Sequence, residues 1–376
     1  MTDIKIGYDM LRLCKSLLLG VKMPPDALAQ INTDTLFPVC EGHCLTAMAC
    51  TALEFNGITP DAKWTEAKAK AIRKNMLLDA ERGQITAFLE KEHIWYMPLK
   101  GSVMKDYYPG TGMRQMSDND ILFDPSCRKT VKKYMKDRGY HLKSKNNNHC
   151  DEWVKAPVYN FEMHLNLFTP MQDITGYFTD IKKKLIGVSP NSFAYRFTDE
   201  DFYIYMTAHA YKHYSGGGTG LRTLIDYYLY LKNKESAMNW VYITDELKKL
   251  DINEFEAQIH LTAKKVFSPK SPLTDDERKM VRFMLGSGTY GNFENSIINM
   301  SRELKGENKA QYIFRRIFPN MAWMKMYAPT VAKYPVLYPF YLMKRFYRLL
   351  FVTRKQRIKE LKIICKADDK LFQKEN

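Results

Sequence analysis

Leu99-Lys100-Gly101-Ser102, followed by Met116-Ser117-Asp118-Asn119-Asp120, is the stretch whose reading decides the fold. Residues 93–99, His-Ile-Trp-Tyr-Met-Pro-Leu, read as a strand that the Gly-Ser pair brings to an end. Residues 103–108 then read as a short helix, and Pro109-Gly110-Thr111-Gly112 as a loop. Residues 116–123 read as a second strand. The period of two places Asp118 and Asp120 on one of its faces, with Ile121 and Phe123 on the other. A turn able to approach phosphate thus stands beside a pair of carboxylates able to hold metal.

The surrounding chain is helical. Residues 61–91, rich in Ala, Lys, Glu and Leu and without internal Pro, predict one extended helix burying Ile72, Met76, Ala80, Ile85, Phe88 and Leu89. Residues 128–138 predict a helix closed by Gly139. Residues 159–168 alternate, with Tyr159, Phe161, Met163, Leu165 and Leu167 on one side and Asn160, Glu162, His164 and Asn166 on the other. Beyond about residue 173 the pattern is helical to the end, with Pro/Gly breaks near 187–190, 215–220 and 268–273. The expected class is α+β. A small mixed β-sheet core over residues 92–170 is flanked by an N-terminal helical region (1–91), a helical domain (171–310) and a basic, aromatic C-terminal helical segment (311–376).

Composition narrows the partners. Hydrophobic residues make up 45% and charged residues 26%, ordinary for a folded protein and against wholesale disorder. No stretch approaches the roughly 18 apolar residues of a membrane span. The first residues lack the apolar run of a secretion signal, and seven cysteines, an odd number, read as reduced thiols; both predict a cytoplasmic protein. The net charge of +15 is uneven: between Tyr312 and Lys366, thirteen Lys/Arg stand against the single acid Glu360. That field suits a polyanion or an anionic membrane surface, or is a solvated basic face.

The carboxylates suggest their own chemistry. Two divalent cations about 3.5–4 Å apart can clamp the entering and leaving oxygens of a displacement at phosphorus, and need several carboxylates on a rigid support. Asp118 and Asp120 supply a pair, assigned to both metals. Glu162 supplies a third, assigned to the metal activating an acceptor hydroxyl, or acting directly as general base. Gly101 removes a Cβ from the path of the phosphates, and Ser102 sits where a helix begins. Lys100 and Arg114 are nearby cations for the charge of a leaving group. His164 shares the face of Glu162 and approaches a bound nucleotide, orients the carboxylate, or is a hydrogen-bonded structural histidine.

Gly-Ser, then Asp-x-Asp, then a carboxylate on its own strand resembles the DNA polymerase β-like nucleotidyltransferase superfamily. More narrowly, LKGSVMKDYYP, MRQMSDNDILF, NFEMHLNLF and HAYKHYSGGGTGLRTLIDYYLYL resemble a nucleotidyltransferase family found in bacterial polysaccharide gene clusters, over about residues 75–350. The resemblance implies a mixed-sheet catalytic core, two Mg²⁺ ions (Mn²⁺ as the alternative) and an NTP donor, ATP first. By position, Gly101, Ser102, Asp118, Asp120 and Glu162 take the superfamily's motif roles. The expected activity is transfer of NMP, AMP first, to an unknown hydroxyl or phosphate acceptor with release of pyrophosphate. The contrasting reading is a noncatalytic nucleotide-, nucleic-acid- or membrane-binding module on the same fold, and a third is an RNA-tailing polymerase. Asn119 departs from the pattern, standing where an apolar residue is usual, on the side away from the metals.

Other motifs are weaker. His209, Lys212 and His213 lead into Gly216-Gly217-Gly218; Lys212 is a candidate nucleotide ligand. Arg222 and Asp226, at i and i+4, read as an ordinary surface bridge worth a few tenths of a kcal/mol. Cys40, His43, Cys44 and Cys50 fit no common zinc spacing and read as buried helix. The basic tail interleaves Phe314, Trp323, Tyr327, Tyr338, Phe346 and Tyr347 with its cations, which suits base stacking, a lipid surface with residues 334–343 as its apolar face, or a packed cap. Pro329, Pro335 and Pro339 argue against one continuous amphipathic helix there.

Overall fold

Caps and breakers set the helix boundaries of the N-terminal region. Helices α1 (Ile4–Leu19), α2 (Pro25–Ala29), α3 (Thr33–Gly42) and α4 (Thr46–Phe55) precede the long α5 (Ala62–Lys91). Asn32 caps α3 by accepting from the N–H groups of Asp34 and Thr35, and Asp61 caps α5 by accepting from Trp64. These elements come from a computed structural model that describes residues 4–143, 149–169, 172, 175–269 and 271–303. In the C-terminal stretch it describes 311, 314, 317–321, 324, 328–354, 358–359 and 362–363.

The buried stripe of α5 differs from the one its apolar residues predict. Ile85 and Leu89 are buried as expected, but Met76 is 62% exposed and Ala80 faces solvent. Trp64, Ala71, Asn75, Leu78 and Glu81 are buried instead. The reason is that α5 serves two partners in turn, packing on α4 and, through Leu78, Ile85 and Leu89, joining the core beneath the sheet. The two polar intruders are bonded: Asn75 Nδ2 donates to the Arg114 carbonyl at 3.2 Å, and Glu81 receives Arg138, Tyr140 and Lys155.

The sheet is five-stranded and mixed, as the α+β expectation requires. Strands β1 (Tyr96–Pro98), β2 (Asn119–Phe123), β3 (His141–Leu142), β4 (Cys150–Lys155) and β5 (Tyr159–His164) lie in the order β1-β2-β5-β4-β3. Only β2 and β5 run parallel. The strands are shorter than the runs expected over 93–99, 116–123 and 159–168. Helix α6 (Lys100–Met104) follows β1 almost at once, and α7 (Arg128–Asp137) follows β2. Ile121, Phe123, Trp153, Phe161 and Met163 form the core with Leu78, Ile85 and Leu89 of α5 and Val131 and Met135 of α7. Each large side chain buried there contributes about 1.5–3 kcal/mol.

Asn119 resolves its own anomaly. It is fully buried on the core side of β2, where its Nδ2 donates to the Leu78 carbonyl at 2.9 Å and its Oδ1 accepts from Arg82 at 3.0 Å. An amide is tolerated in a lipophilic slot because α5 supplies both partners.

After residue 173 a hairpin of β6 (Ile186–Gly187) and β7 (Tyr195–Arg196) interrupts the expected all-helical run. Helices α8 (Asp199–Ser215), α9 (Leu221–Lys234), α10 (Trp240–Lys249), α11 (Asn253–Val266), α12 (Asp275–Ser287) and α13 (Phe293–Glu303) follow. The α8–α9 and α11–α12 connections fall at the expected breaks near 215–220 and 268–273, and the break near 187–190 falls in the hairpin. The chain divides into two compact units. One is Met1–Lys212 with Thr219–Thr289, and the other His213–Gly218 with Tyr290–Asn376.

Candidate active site

Strand parity builds the site. With Asn119, Ile121 and Phe123 of β2 and Phe161 and Met163 of β5 turned to the core, Asp120, Glu162 and His164 are left on the opposite face. The parallel register pairs Asp120 with Glu162 directly, on backbones about 4.8 Å apart. In the antiparallel register Cys150 of β4 stands opposite His164, adding a thiol to the same face.

His164 ties the two carboxylates together. Its Nε2 lies 3.1 Å from Asp120 Oδ1 and 3.3 Å from Glu162 Oε2. Burial opposes a charged ring, but the hydrogen bonds to Asp120 and Glu162 and their charges prevail, lifting the imidazole to about 9. The bond from His164 in turn holds Glu162 below the usual carboxylate range. Asp118 goes the other way. Burial, then the charges of Asp120 and Glu162, raise it to about 7. Three carboxylates therefore crowd together, with the His164 imidazole bridging two of them, and the donor set is the hard oxygen type that Mg²⁺ or Mn²⁺ accepts.

Two neighbours escape a sequence reading. The Sγ of Cys150 lies 3.9 Å from Glu162 Oε2, and burial followed by the nearby carboxylates pushes the thiol up to about 12. Among the described residues, Cys150, Glu162 and His164 form a group whose donor atoms lie within 4.8 Å of one another, softer than the aspartate pair. His149 stands edge-on to His164 at 5.0 Å and is lowered to about 4, first by burial and then by the charges at His164 and Lys212. The alternation Cys150, Glu152, Val154 against Asp151, Trp153 was a usable signal for β4. A core-side aspartate masks it: buried Asp151 is held by Arg128 at 2.9 and 2.8 Å and by Lys132 at 3.2 Å.

The cations separate into two kinds. Lys212, on α8, feels the charges of Glu162 and Asp120, though burial dominates and lowers its pKa. Lys100 is buried, with Nζ 3.5 Å from His209 Nδ1, and burial lowers it to about 8. The carboxylate that Lys100 feels most is Asp226, with Asp120 a weaker influence. Arg114 is instead taken up elsewhere: its Nε and Nη2 each donate to Asp226 at 2.9 Å, and Tyr108 donates to the same carboxylate at 2.8 Å. Asp226 is 1% exposed, so the expected Arg222–Asp226 surface bridge is not what forms; Arg222 donates to the Gln115 carbonyl at 2.9 Å. The i, i+4 spacing misleads because α9 turns Asp226 inward.

The Gly-Ser turn is pinned to the site by the Leu99 N–H, which donates to the Asp120 carbonyl at 2.9 Å. The Ser102 hydroxyl donates to the Leu99 carbonyl at 2.7 Å, closing the turn. A Cβ on Gly101 would meet Met116 Cε at 2.8 Å and Arg114 Nη1 at 3.4 Å, so the missing side chain makes room for these residues. His43 likewise serves packing: Nδ1 accepts from Leu221 N–H and Nε2 donates to the Leu285 carbonyl, both at 3.1 Å.

Against known proteins, residues 29–268 match a family model described as an uncharacterised nucleotidyltransferase. Comparison with curated proteins and with solved structures gave no match.

Proposed function

The chain belongs to the uncharacterised nucleotidyltransferase family, and from that premise we propose that it is a metal-dependent enzyme of the polymerase β-like kind. It moves NMP, AMP first, from an NTP to a hydroxyl or phosphate acceptor. The observation that carries this reading is the pairing of Asp120 with Glu162 across parallel strands, with Asp118, just before β2, near enough for their charges to raise it.

Asp118, Asp120 and Glu162 are the residues that would hold Mg²⁺ or Mn²⁺. The bound cations would neutralise phosphate charge and acidify the acceptor hydroxyl. The acceptor oxygen forms a bond to the α-phosphorus as the bond to the bridging oxygen breaks, and pyrophosphate carries away the electron pair. In this reading Glu162 takes the acceptor proton and His164 fixes the rotamers of Asp120 and Glu162. Lys100 and Lys212 face the triphosphate, and the turn of Gly101 and Ser102 sets the backbone against which it lies. Arg114 acts on the phosphates only indirectly, by holding that turn.

Calorimetric titration with a nonhydrolysable ATP analogue, with and without Mg²⁺, tests the reading. The wild type is expected to bind only with metal, and Asp118→Ala/Asp120→Ala to lose that binding. Equal metal-dependent binding by both proteins would overturn it.

A further inference from the structure

We infer that helical residues 335–352 form a docking surface for an anionic lipid bilayer. The prolines divide this stretch into successive short elements. Pro335 opens a short helical turn, Pro335–Leu337, and Pro339 lies in the first turn of the helix Tyr338–Tyr347, where a missing N–H costs nothing. The prolines therefore start new helical elements, so the stretch is not one continuous amphipathic helix, as expected, yet it still presents an apolar row.

Phe340, Met343 and Tyr347 follow at intervals of three and four on one face of the helix Tyr338–Tyr347, with Val336 on the turn before it and Phe351 on the wider turn after it. In chain order the five are 76%, 68%, 69%, 61% and 72% exposed, and the helix Tyr338–Tyr347 buries no residue. An exposed apolar row of this length marks an interaction site. Charge identifies the occupant: from Asn308 to Lys359 the sequence holds twelve Lys/Arg and no Asp or Glu. Lys344, Arg345 and Arg348 lie within the row's own turns. Aliphatic and aromatic side chains for insertion, flanked by cations for headgroup phosphate, suit an anionic interface. Val336 and Met343 offer a nucleobase nothing to stack on, which disfavours a single-stranded polynucleotide. Contact is with the surface, since no helix among the described residues is long and apolar enough to cross a membrane. Trp323 and Tyr327, two of the expected stacking aromatics, lie outside the described residues.

Co-sedimentation of the full chain with vesicles tests the inference, needing neither metal nor nucleotide, so its outcome is independent of the catalytic reading. The wild type should pellet with vesicles containing phosphatidylserine, stay in solution with phosphatidylcholine alone, and be released by salt. Phe340→Ser/Tyr347→Ser/Phe351→Ser and, separately, Lys344→Glu/Arg345→Glu/Arg348→Glu should each lower the partition at least about tenfold. All the substituted groups are exposed or unburied, and unchanged circular dichroism would confirm that the variants fold. Wild-type protein left in the supernatant, or serine-variant binding equal to wild type, would overturn the inference. So would capture by polyuridylate in place of vesicles.

Discussion

Arg114 and Asp118 stand four residues apart, yet they illustrate opposite treatments of buried charge. Arg114 is met by a bidentate carboxylate whose second partner is the Tyr108 hydroxyl. Burial disfavours the charge of Asp226, but Arg114 outweighs it and holds the carboxyl below its usual range. Asp118 is half-buried beside two further carboxylates, and desolvation with their charges drives it up to about 7. Compensated charge ties α9 to the loop before β2. Around Asp118 the compensation is partial, since His164 bridges Asp120 and Glu162 but the acids still raise Asp118, and a surplus of carboxylates is what a cation-binding site would need.

Breaking the compensated side should give the largest effect. Arg114→Ala or Asp226→Ala leaves a lone buried charge and should cost about 3–5 kcal/mol, read from urea denaturation. A loss below about 1 kcal/mol would erase the contrast. On the carboxylate-rich side, Asp118→Asn/Asp120→Asn should change the urea midpoint far less, because removing repulsion at Asp118 offsets the loss of the Asp120 bond to His164. The same variant should weaken metal-dependent nucleotide binding at least ~100-fold, about 2.7 kcal/mol.

Glu246 sharpens the comparison as a second compensated carboxylate. It accepts from Tyr177, Lys184 and Lys249, which overcome burial and hold it at about 2. Its folded value lies below its unfolded one, about 4.3. The stabilisation is therefore complete above that value and is lost as pH falls toward 2. Wild type should exceed Glu246→Gln by ~2 kcal/mol at neutral pH, with the gap closing in acid denaturation series. Smallest is Asn119→Ala, which removes the bonds to Leu78 and Arg82 and should lower stability by about 1 kcal/mol. A null result in melting experiments would make that amide dispensable.

Local pattern carried much of this molecule. Alternation alone separated Glu162 and His164 from Phe161 and Met163, and composition alone delimited α5. Pairings between distant residues were invisible. Nothing near Asp226 announces Arg114, 112 residues away, and nothing near Cys150 announces His164 across the hairpin. Hydrophobic periodicity failed on α5 because one helix serves two partners in succession. It failed on β4 because Asp151 occupies a core-side position through its bonds to α7.

The single parallel junction in the sheet also sets an order of assembly. β4 and β5 join as near neighbours in sequence, and β1 meets β2 after one short excursion. Asp120 and Glu162, 42 positions apart, meet only when those two pieces dock edge to edge, after the closure of α7 and the intervening strands. The carboxylate cluster is thus the seam along which the domain is finished. A cation or nucleotide seated there would favour the completed sheet over its halves.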